Sequence, residues 1–413
     1  MSTVGTVTAI RMRLGPKPGF REVSPERRRR RRVQLVWALL VMNVMTYFPG
    51  SLQLIPFPGI VGKLIAQGAL PLALLVVLTV NRPARVRPSV YVFLASLLVT
   101  EAIMASLRSE FLISALYRST RLFLFVLVLW LLTPWWTRKD LLLVRTHLIV
   151  LWFIVGSVVF GFLIAPGASR PDGRLVGMVW PIPPTQTGHY AAMAAGLTIV
   201  LWMAGLLKRN VALASVLTAV PVLLLTHTRT ALIALLVGSV VAGLSLFTAR
   251  SRVRKSFAIA IGVFSIGALT AGSLVTTWLA RGQDSEQVTA LTGRTFVWDA
   301  IIAQQRTTWQ TLFGFGLSNK SFNGLPIDSN WLGTYYDTGL LGVSFCIAMV
   351  LFVFVGAWFT PQGPRRAIAL FIVAYCVVAS FTESGLSEAS PYLLELTLAA
   401  SLVYSRPPQE GVE

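Results

Sequence analysis

About twelve apolar stretches, each close to the length of a membrane-crossing helix, follow one another along this 413-residue chain. A helix needs about 20 apolar residues to cross the hydrocarbon core of a bilayer, and charged or Pro/Gly-containing segments separate the stretches. The expected spans lie near residues 33–49, 60–80, 89–107, 111–134, 142–164, 186–206, 211–227, 230–247, 257–278, 338–358, 366–382 and 390–404. The sequence therefore predicts an all-α membrane protein with about twelve transmembrane helices.

The composition excludes a water-soluble globule. Only 13% of the residues are charged, whereas a soluble domain usually carries about 25%. The two cysteines, Cys346 and Cys376, lie inside apolar stretches, and the chain has three histidines. These counts do not suit a disulfide framework or a multi-histidine metal centre. We expect no metal and no cofactor.

The formal net charge of +20 is concentrated in one set of segments. With the basic N-terminal arm in the cytoplasm and alternating spans, 25 of the 36 Lys and Arg residues but five of the 16 acids lie inside. The positive-inside rule then predicts a multi-pass protein of the plasma (inner) membrane with both termini cytoplasmic. We interpret this charge as a signal for orientation and for contact with anionic membrane lipid, with no nucleic-acid partner.

The connection at residues 279–337 is long and polar and lies on the predicted outer side. Long loops of this kind usually carry function. Within this connection, residues 294–305 predict a short helix along the membrane surface, with Trp298 at the interface and Phe296, Val297, Ala300 and Ile301 at helical spacing. The chain then divides into a disordered basic cytoplasmic arm (1–32), transmembrane helices 1–9 (33–278), an external catalytic loop (279–337), transmembrane helices 10–12 (338–404) and a cytoplasmic tail (405–413).

Five arginines lie on the predicted outer side, at or near membrane depth. A charge there is costly unless it is paired or hydrated. Because arginine grips phosphate bidentately and keeps its proton, the group predicts a shared anionic ligand. For Arg118 and Arg121, which lie one helical turn apart, pairing with Glu101 would be a structural alternative. The five are Arg118, Arg121, Arg174, Arg229 and Arg294.

Several short segments form a recognisable series. They are Gly173-Arg174-Leu-Val-Gly177 with 181–188, Leu225-Thr-His-Thr-Arg229, Thr292-Gly293-Arg294 with Trp298, Leu312-Phe-Gly314-Phe-Gly316, and Ser329-Asn330-Trp331-Leu332 through Gly339-Leu-Leu-Gly342. In order and layout this series resembles the O-antigen ligase and polysaccharide polymerase superfamily, over roughly residues 110 to 345. Members are multi-span glycosyltransferases that use a polyprenyl-diphosphate-linked glycan as donor.

The resemblance implies roles for the matching residues. Arg174, Arg229 and Arg294 would grip the donor diphosphate, and Asn330 would correspond to the asparagine of an external His-Asn motif. That histidine is the usual catalytic candidate of the family, but here Ser329 occupies its position. This departure favours a polymerase or a divergent ligase over a typical ligase.

The reaction needs a base near the incoming hydroxyl. Asp328, one residue before Ser329, is the first candidate, and its alternative role is to cap the helix that follows. His189 and His227 are further catalytic candidates or pocket residues, and His147 is expected to be structural. Other outer acids could bind sugar hydroxyls or pair with the arginines, and these are Asp172, Asp299, Asp337, Glu383 and Glu388.

The sequence thus predicts a metal-independent glycosyltransferase that moves a polyprenyl-diphosphate-linked oligosaccharide to a glycan or glycolipid acceptor on the outer face. The choice between polymerase and ligase stays open. A transporter or flippase of lipid-linked oligosaccharide is the alternative of a different class. Transporters built from two matching halves should show similar segments in each half, and no such duplication is visible in this sequence.

Overall fold

The computed structural model describes residues 24–48, 53–54, 56, 58–81, 86–138, 140–255, 257–259, 262, 278, 294–318 and 320–403. Most of the predicted ninth span, most of the N-terminal arm, the C-terminal tail and residues 279–293 lie outside these ranges. The arm ends in a helix whose first turn is capped by Ser24, which accepts a hydrogen bond from the Arg27 backbone amide, with Pro25 at the first helical position.

The described residues are mainly helical. A hairpin of two-residue strands, β1 (Ser321–Phe322) and β2 (Leu325–Pro326), pairs antiparallel. The α-helices are α1 (Pro25–Val44), α2 (Gly59–Val80), α3 (Val90–Ser106), α4 (Leu112–Leu132), α5 (Leu142–Ile164), α6 (Pro184–Met203), α7 (Arg209–Leu225), α8 (Arg229–Leu246), α9 (Arg294–Ala303), α10 (Thr308–Phe313), α11 (Asn330–Phe359), α12 (Pro364–Ala379) and α13 (Pro391–Val403).

Within the described ranges, five helices are long and apolar enough to cross a membrane: α2, α4 with the turn that follows it, α5, α8 and α11. Helices α3, α7 and α13 are shorter but also apolar. Large side chains such as Phe153 (76% exposed) and Leu163 (71% exposed) point out of the bundle, as lipid-facing residues do. The prediction of an all-α chain is confirmed, and five of its described helices have the length and apolar character that a membrane span requires.

Helix α6 occupies the centre of the bundle and packs against α5, α7, α8 and α12. Its residues from Thr187 to Thr198 are all buried. Many of them are Ala or Gly, which allows the neighbouring helix axes to approach closely. At Gly196 the ring of Phe371 on α12 occupies the space that a side chain would need.

We expect Gly196→Ala to destabilise the protein, because the added methyl group would overlap the Phe371 ring. Overpacking of this kind costs about 1–3 kcal/mol, which thermal unfolding in detergent would detect. Gly156→Ala on α5 is the matched control, since a Cβ there meets no atom within 4 Å. Equal melting temperatures for the two variants would contradict the tight α6–α12 contact.

The basic segments meet at one end of the bundle, which we call the basic end. The helices α1, α4, α12 and α13 and the segment after α8 all contribute to it. Its contacts include an ion pair between Arg30 and Asp140 (3.0 Å) and hydrogen bonds from Arg365 to the Thr137 carbonyl (2.6 Å) and from Thr248 to Gln362 (3.2 Å). The opposite end, which we call the site end, holds the segments that the sequence analysis singled out.

Candidate functional site

The loop before α6 folds onto the turn between α7 and α8. Arg174 donates from Nε to the carbonyl of Thr226 (3.1 Å), and the Leu175 amide donates to the Leu225 carbonyl (2.9 Å). Gly188 allows this approach, because a Cβ there would lie 2.6–2.7 Å from the hydroxyl oxygens of Thr226 and Thr228. These contacts bring Arg174 to the turn that ends at Arg229.

Helix α9 places the third predicted arginine. Val297 and Ile301, one turn apart, are buried against Ile327, and the residue at the start of the helix is Arg294. Burial lowers the pKa of Arg174, nearby Glu383 raises it and Arg294 lowers it. Arg229 is also within electrostatic range of Arg294. The three arginines of the predicted diphosphate site therefore lie together, although they come from separate parts of the chain.

Helix α9 differs from the prediction in one detail. Phe296 is 71% exposed, so it does not share the buried face of Val297 and Ile301. Val297 and Ile301, which are four residues apart, pack inward. Helix α9 lies on the surface of the hairpin and of α11, so it buries only a narrow stripe of its own surface. Trp298 is half-buried, and its indole nitrogen makes no hydrogen bond to any described residue.

The segment after α12 carries an acid next to the arginines. Thr382 shares a hydrogen bond with Thr230 (2.6 Å between hydroxyl oxygens), so Glu383 lies beside the residue that follows Arg229. Burial raises the pKa of Glu383 to about 7, and Asp328 raises it further, while Arg294, His189 and Arg174 oppose this rise. A carboxyl group with this pKa exchanges protons readily at neutral pH.

Asn330 holds this segment in place. Its side-chain oxygen accepts hydrogen bonds from the backbone amides of Gly385 (3.2 Å) and Leu386 (2.8 Å), and its backbone N–H donates to the Ser380 carbonyl (2.9 Å). Asn330 is 1% exposed. The resemblance matched Asn330 to the asparagine of a His-Asn motif and so to the substrate site, but the structure places it beneath the loop that carries Glu383. There its side chain binds the backbone of that loop.

A cavity of about 300 Å³ opens beside Glu383. It lies between the last residue of α1, the middle of α4, the first turns of α6 and the loop from α12 to α13. Its lining is rich in polar and charged groups, which suits a hydrophilic ligand. The lining includes Arg121, Gln186, His189, Glu383, Glu388 and Tyr392. Glu383 therefore belongs both to this cavity and to the arginine cluster.

Of the predicted arginine pair, Arg121 lines the cavity, and Arg118 is half-buried one turn before it on α4. Arg121 donates to the backbone oxygen (2.8 Å) and side-chain oxygen (3.3 Å) of Asn43. The suggested pairing with Glu101 is wrong, because Glu101 faces Gly342 on α11. Both oxygens of Glu101 lack a hydrogen-bond partner among the described residues.

His189 and His227 have different surroundings. His189 is buried in the cavity wall, with Nε2 2.9 Å from Glu395 and Nδ1 3.1 Å from the Tyr375 hydroxyl. His227 lies in the turn between α7 and α8 with a φ of 53°, which is uncommon for a residue other than glycine. Its ring stacks on Trp278 at 5.7 Å. Of the two, only His189 is among the residues that line the cavity.

Asp328 pairs with Arg294, with 3.1 Å between Oδ2 and Nε. The alternative that Asp328 caps the following helix is wrong: Ser329 is the N-cap of α11 and accepts from the Leu332 amide. A serine at this position is a good cap, which gives a structural reason for Ser329.

Asp337 is fully buried and forms an ion pair with Lys320 (2.6 Å). Burial alone would lower the pKa of Lys320, but Asp337 and Glu388 hold it above its usual value. The sequence left two roles for Asp337, which were binding sugar hydroxyls and pairing with the arginines. In the structure it pairs instead with Lys320 and anchors the segment before the hairpin to α11. Burial of both groups explains why they pair with each other.

The glycine motifs of the late loop dock on each other. Helix α11 has a break at Gly339 (φ 61°), and the turn Gly314-Phe315-Gly316 binds there, with the Gly316 amide donating to the Asp337 carbonyl (2.9 Å). A Cβ at Gly314 or at Gly339 would overlap the opposite backbone. The motif segments 312–316 and 329–342 therefore pack against each other. This contact sets the position of residues 330–338 relative to the rest of α11.

Neither a scan against protein-family models nor a search of curated proteins finds a match for this chain. The site is therefore interpreted from its own geometry. Among the described residues, no group of three or more His, Cys, Asp and Glu side chains is placed to hold a metal ion. Sequence reasoning named Glu383 only as one of several outer acids, because nothing local distinguishes it from Glu388 or Asp337.

Proposed function

We propose that this protein is a membrane glycosyltransferase that transfers a glycan from a polyprenyl diphosphate to an acceptor hydroxyl. The observation that carries the proposal is the convergence of Arg174, Arg229 and Arg294 beside Glu383, whose pKa is about 7. The resemblance of the motif series to O-antigen ligases and polysaccharide polymerases supports the same reaction. The acceptor would be either a growing glycan or a glycolipid.

In this proposal the arginine cluster binds the donor diphosphate. Guanidinium groups make bidentate hydrogen bonds to phosphate oxygens. As the bond between the anomeric carbon and the phosphate oxygen breaks, its electron pair passes to the diphosphate. Fixed positive groups stabilise that developing charge. The arginines would do this without a metal ion.

Glu383 would be the general base. It would take the proton of the acceptor hydroxyl while the acceptor oxygen forms the new bond to the anomeric carbon. We favour Glu383 over Asp328, because Glu383 lines the cavity where an acceptor could bind, whereas the carboxylate of Asp328 is paired with Arg294. Asp328 would then orient Arg294, and it stays the alternative base.

The activity itself is tested with purified protein and a polyprenyl-diphosphate oligosaccharide. We expect either longer lipid-linked chains or transfer to an added glycolipid, at the same rate in EDTA. Loss of the reaction on chelation and recovery with Mn²⁺ would contradict the metal-free mechanism. Movement of the lipid across vesicle membranes with no new glycosidic bond would support the transporter alternative instead.

We propose that about twelve spans cross the plasma membrane with the site end outside. The gathering of basic segments at the opposite end supports this orientation. A cysteine at Asn323, exposed after β1, should react with a membrane-impermeant maleimide in intact cells. A cysteine at Arg254, exposed at the basic end, should react only after lysis. The native Cys346 and Cys376 are buried, and the reverse labelling pattern would overturn the orientation.

A further inference from the structure

A chain of polar side chains extends from the cavity wall into the interior of the bundle. Glu395 on α13 is fully buried, and its Oε1 lies 2.9 Å from His189 Nε2 on α6 and 3.7 Å from His147 Nε2 on α5. A carboxylate so far from water is costly unless a positive group pairs with it. No Lys or Arg among the described residues forms an ion pair with Glu395, so an ionised Glu395 pairs with a histidine.

His147 is held in its neutral form by Trp37. The Trp37 indole nitrogen lies 3.3 Å from His147 Nδ1, and an indole N–H can only donate. Nδ1 must therefore accept, and the single proton of His147 sits on Nε2, toward Glu395. A second proton on Nδ1 would place two N–H groups against each other.

His189 has partners for two protons. Its Nε2 faces the Glu395 carboxylate, and its Nδ1 lies 3.1 Å from the Tyr375 hydroxyl, which can accept a hydrogen bond. The positive charge that Glu395 needs can therefore reside on His189 with both N–H groups satisfied. The other titratable side chains around this pair are uncharged in their usual states, and they are Tyr190, Tyr375, Cys376 and Tyr392.

The charge of His189 is felt by Glu383, which lines the same cavity. A positive His189 lowers the pKa of Glu383, against burial and the repulsion of Asp328. The other charged groups that act on Glu383 are Arg174 and Arg294, and Arg121 and Glu388 line the same cavity.

We propose that Glu395 and His189 form a buried carboxylate–imidazolium pair that keeps a positive charge in the cavity wall and so favours the proton-accepting form of Glu383. His189 is then a positioning residue, which acts through Glu383 and does not itself accept the substrate proton. Its role on Glu383 rests on the proposed function, whereas the charged state of the pair does not.

The charge state can be read directly, because the chain has only three histidines. In ¹⁵N-histidine NMR spectra of the purified protein at pH 7.5, assigned with His147→Gln and His227→Gln, we expect both ring nitrogens of His189 to be protonated. His147 should show one protonated nitrogen, Nε2. Glu395→Gln should convert His189 to a neutral ring. A neutral His189 in the unmodified protein would overturn the proposal.

The second measurement is the pH dependence of turnover. Loss of the His189 charge in Glu395→Gln should move the acidic limb of the profile to higher pH by about 1 unit, which a purely structural role would not do. If Glu395→Gln does not fold, His189→Gln replaces it. A charged His189 with an unmoved limb would overturn the positioning role. Absence of transferase activity in the unmodified protein would instead reject the proposed function. The charged state of the Glu395–His189 pair would then be decided from the NMR spectra alone.

Discussion

Glu383→Gln should lower the turnover number by about 10²- to 10⁴-fold, the usual contribution of a general base. Glutamine keeps the size of the side chain and its hydrogen-bonding capacity, but it cannot accept a proton. Donor binding should change little, because the arginine cluster is intact. Initial rates and the dissociation constant of the lipid-linked donor measure the two effects separately.

The pKa of Glu383 also predicts the direction in which turnover changes with pH. The pKa of Glu383 is raised to about 7, and only the deprotonated carboxylate can act as the base. Turnover should therefore rise with pH through this region and level off above it, with a tenfold loss per pH unit on the acidic side. The residual rate of Glu383→Gln should not show this decrease on the acidic side.

Asp328→Asn is the matched variant, because it removes the other carboxyl near Arg294. If Asp328 only orients Arg294, the loss should be smaller than for Glu383→Gln, and the acidic limb should persist. The opposite ranking, with Asp328→Asn nearly inactive and Glu383→Gln nearly normal, would return the role of base to Asp328.

Arg174→Lys, Arg229→Lys and Arg294→Lys should each lower turnover by about 10²- to 10³-fold, although the charge is kept. Removal of one group that stabilises transition-state charge typically has this effect, and lysine cannot make the two parallel hydrogen bonds of a guanidinium. Donor affinity should also weaken, unlike in Glu383→Gln.

The control for the arginine series is Arg254→Lys, an exposed position at the basic end. This variant should keep normal rates. Retained activity in all three cluster variants would contradict the assignment of the diphosphate site, and a loss confined to one of them would reduce the site to that residue.

The helices could be predicted because their causes are local. A backbone inside lipid must satisfy its hydrogen bonds within its own segment, so an apolar stretch of sufficient length is enough to locate a span. The predicted span near 338–358 matches the part of α11 that follows the break at Gly339. The break itself could not be predicted in this way, because it depends on the turn 314–316, which docks there from another part of the chain.

The arginine cluster could also be proposed from sequence, because a charge near membrane depth is costly unless it is paired, hydrated or bound to a ligand. The acids could not be sorted in the same way. Asp337 is a short distance along the chain from Asp328, yet Lys320 binds it in the interior. Asp328 instead pairs with Arg294 at the partly exposed site end.

What the sequence alone determined is the class of molecule, an all-α chain with apolar stretches of membrane-crossing length, together with the arginines that lie within and between those stretches. Only the tertiary structure decided that Glu383 joins those arginines and that Glu395 meets His189. The latter two residues are separated by 206 positions. Contacts of this kind depend on how whole helices pack, and the packing free energy is spread over many buried side chains, so no short segment carries the information.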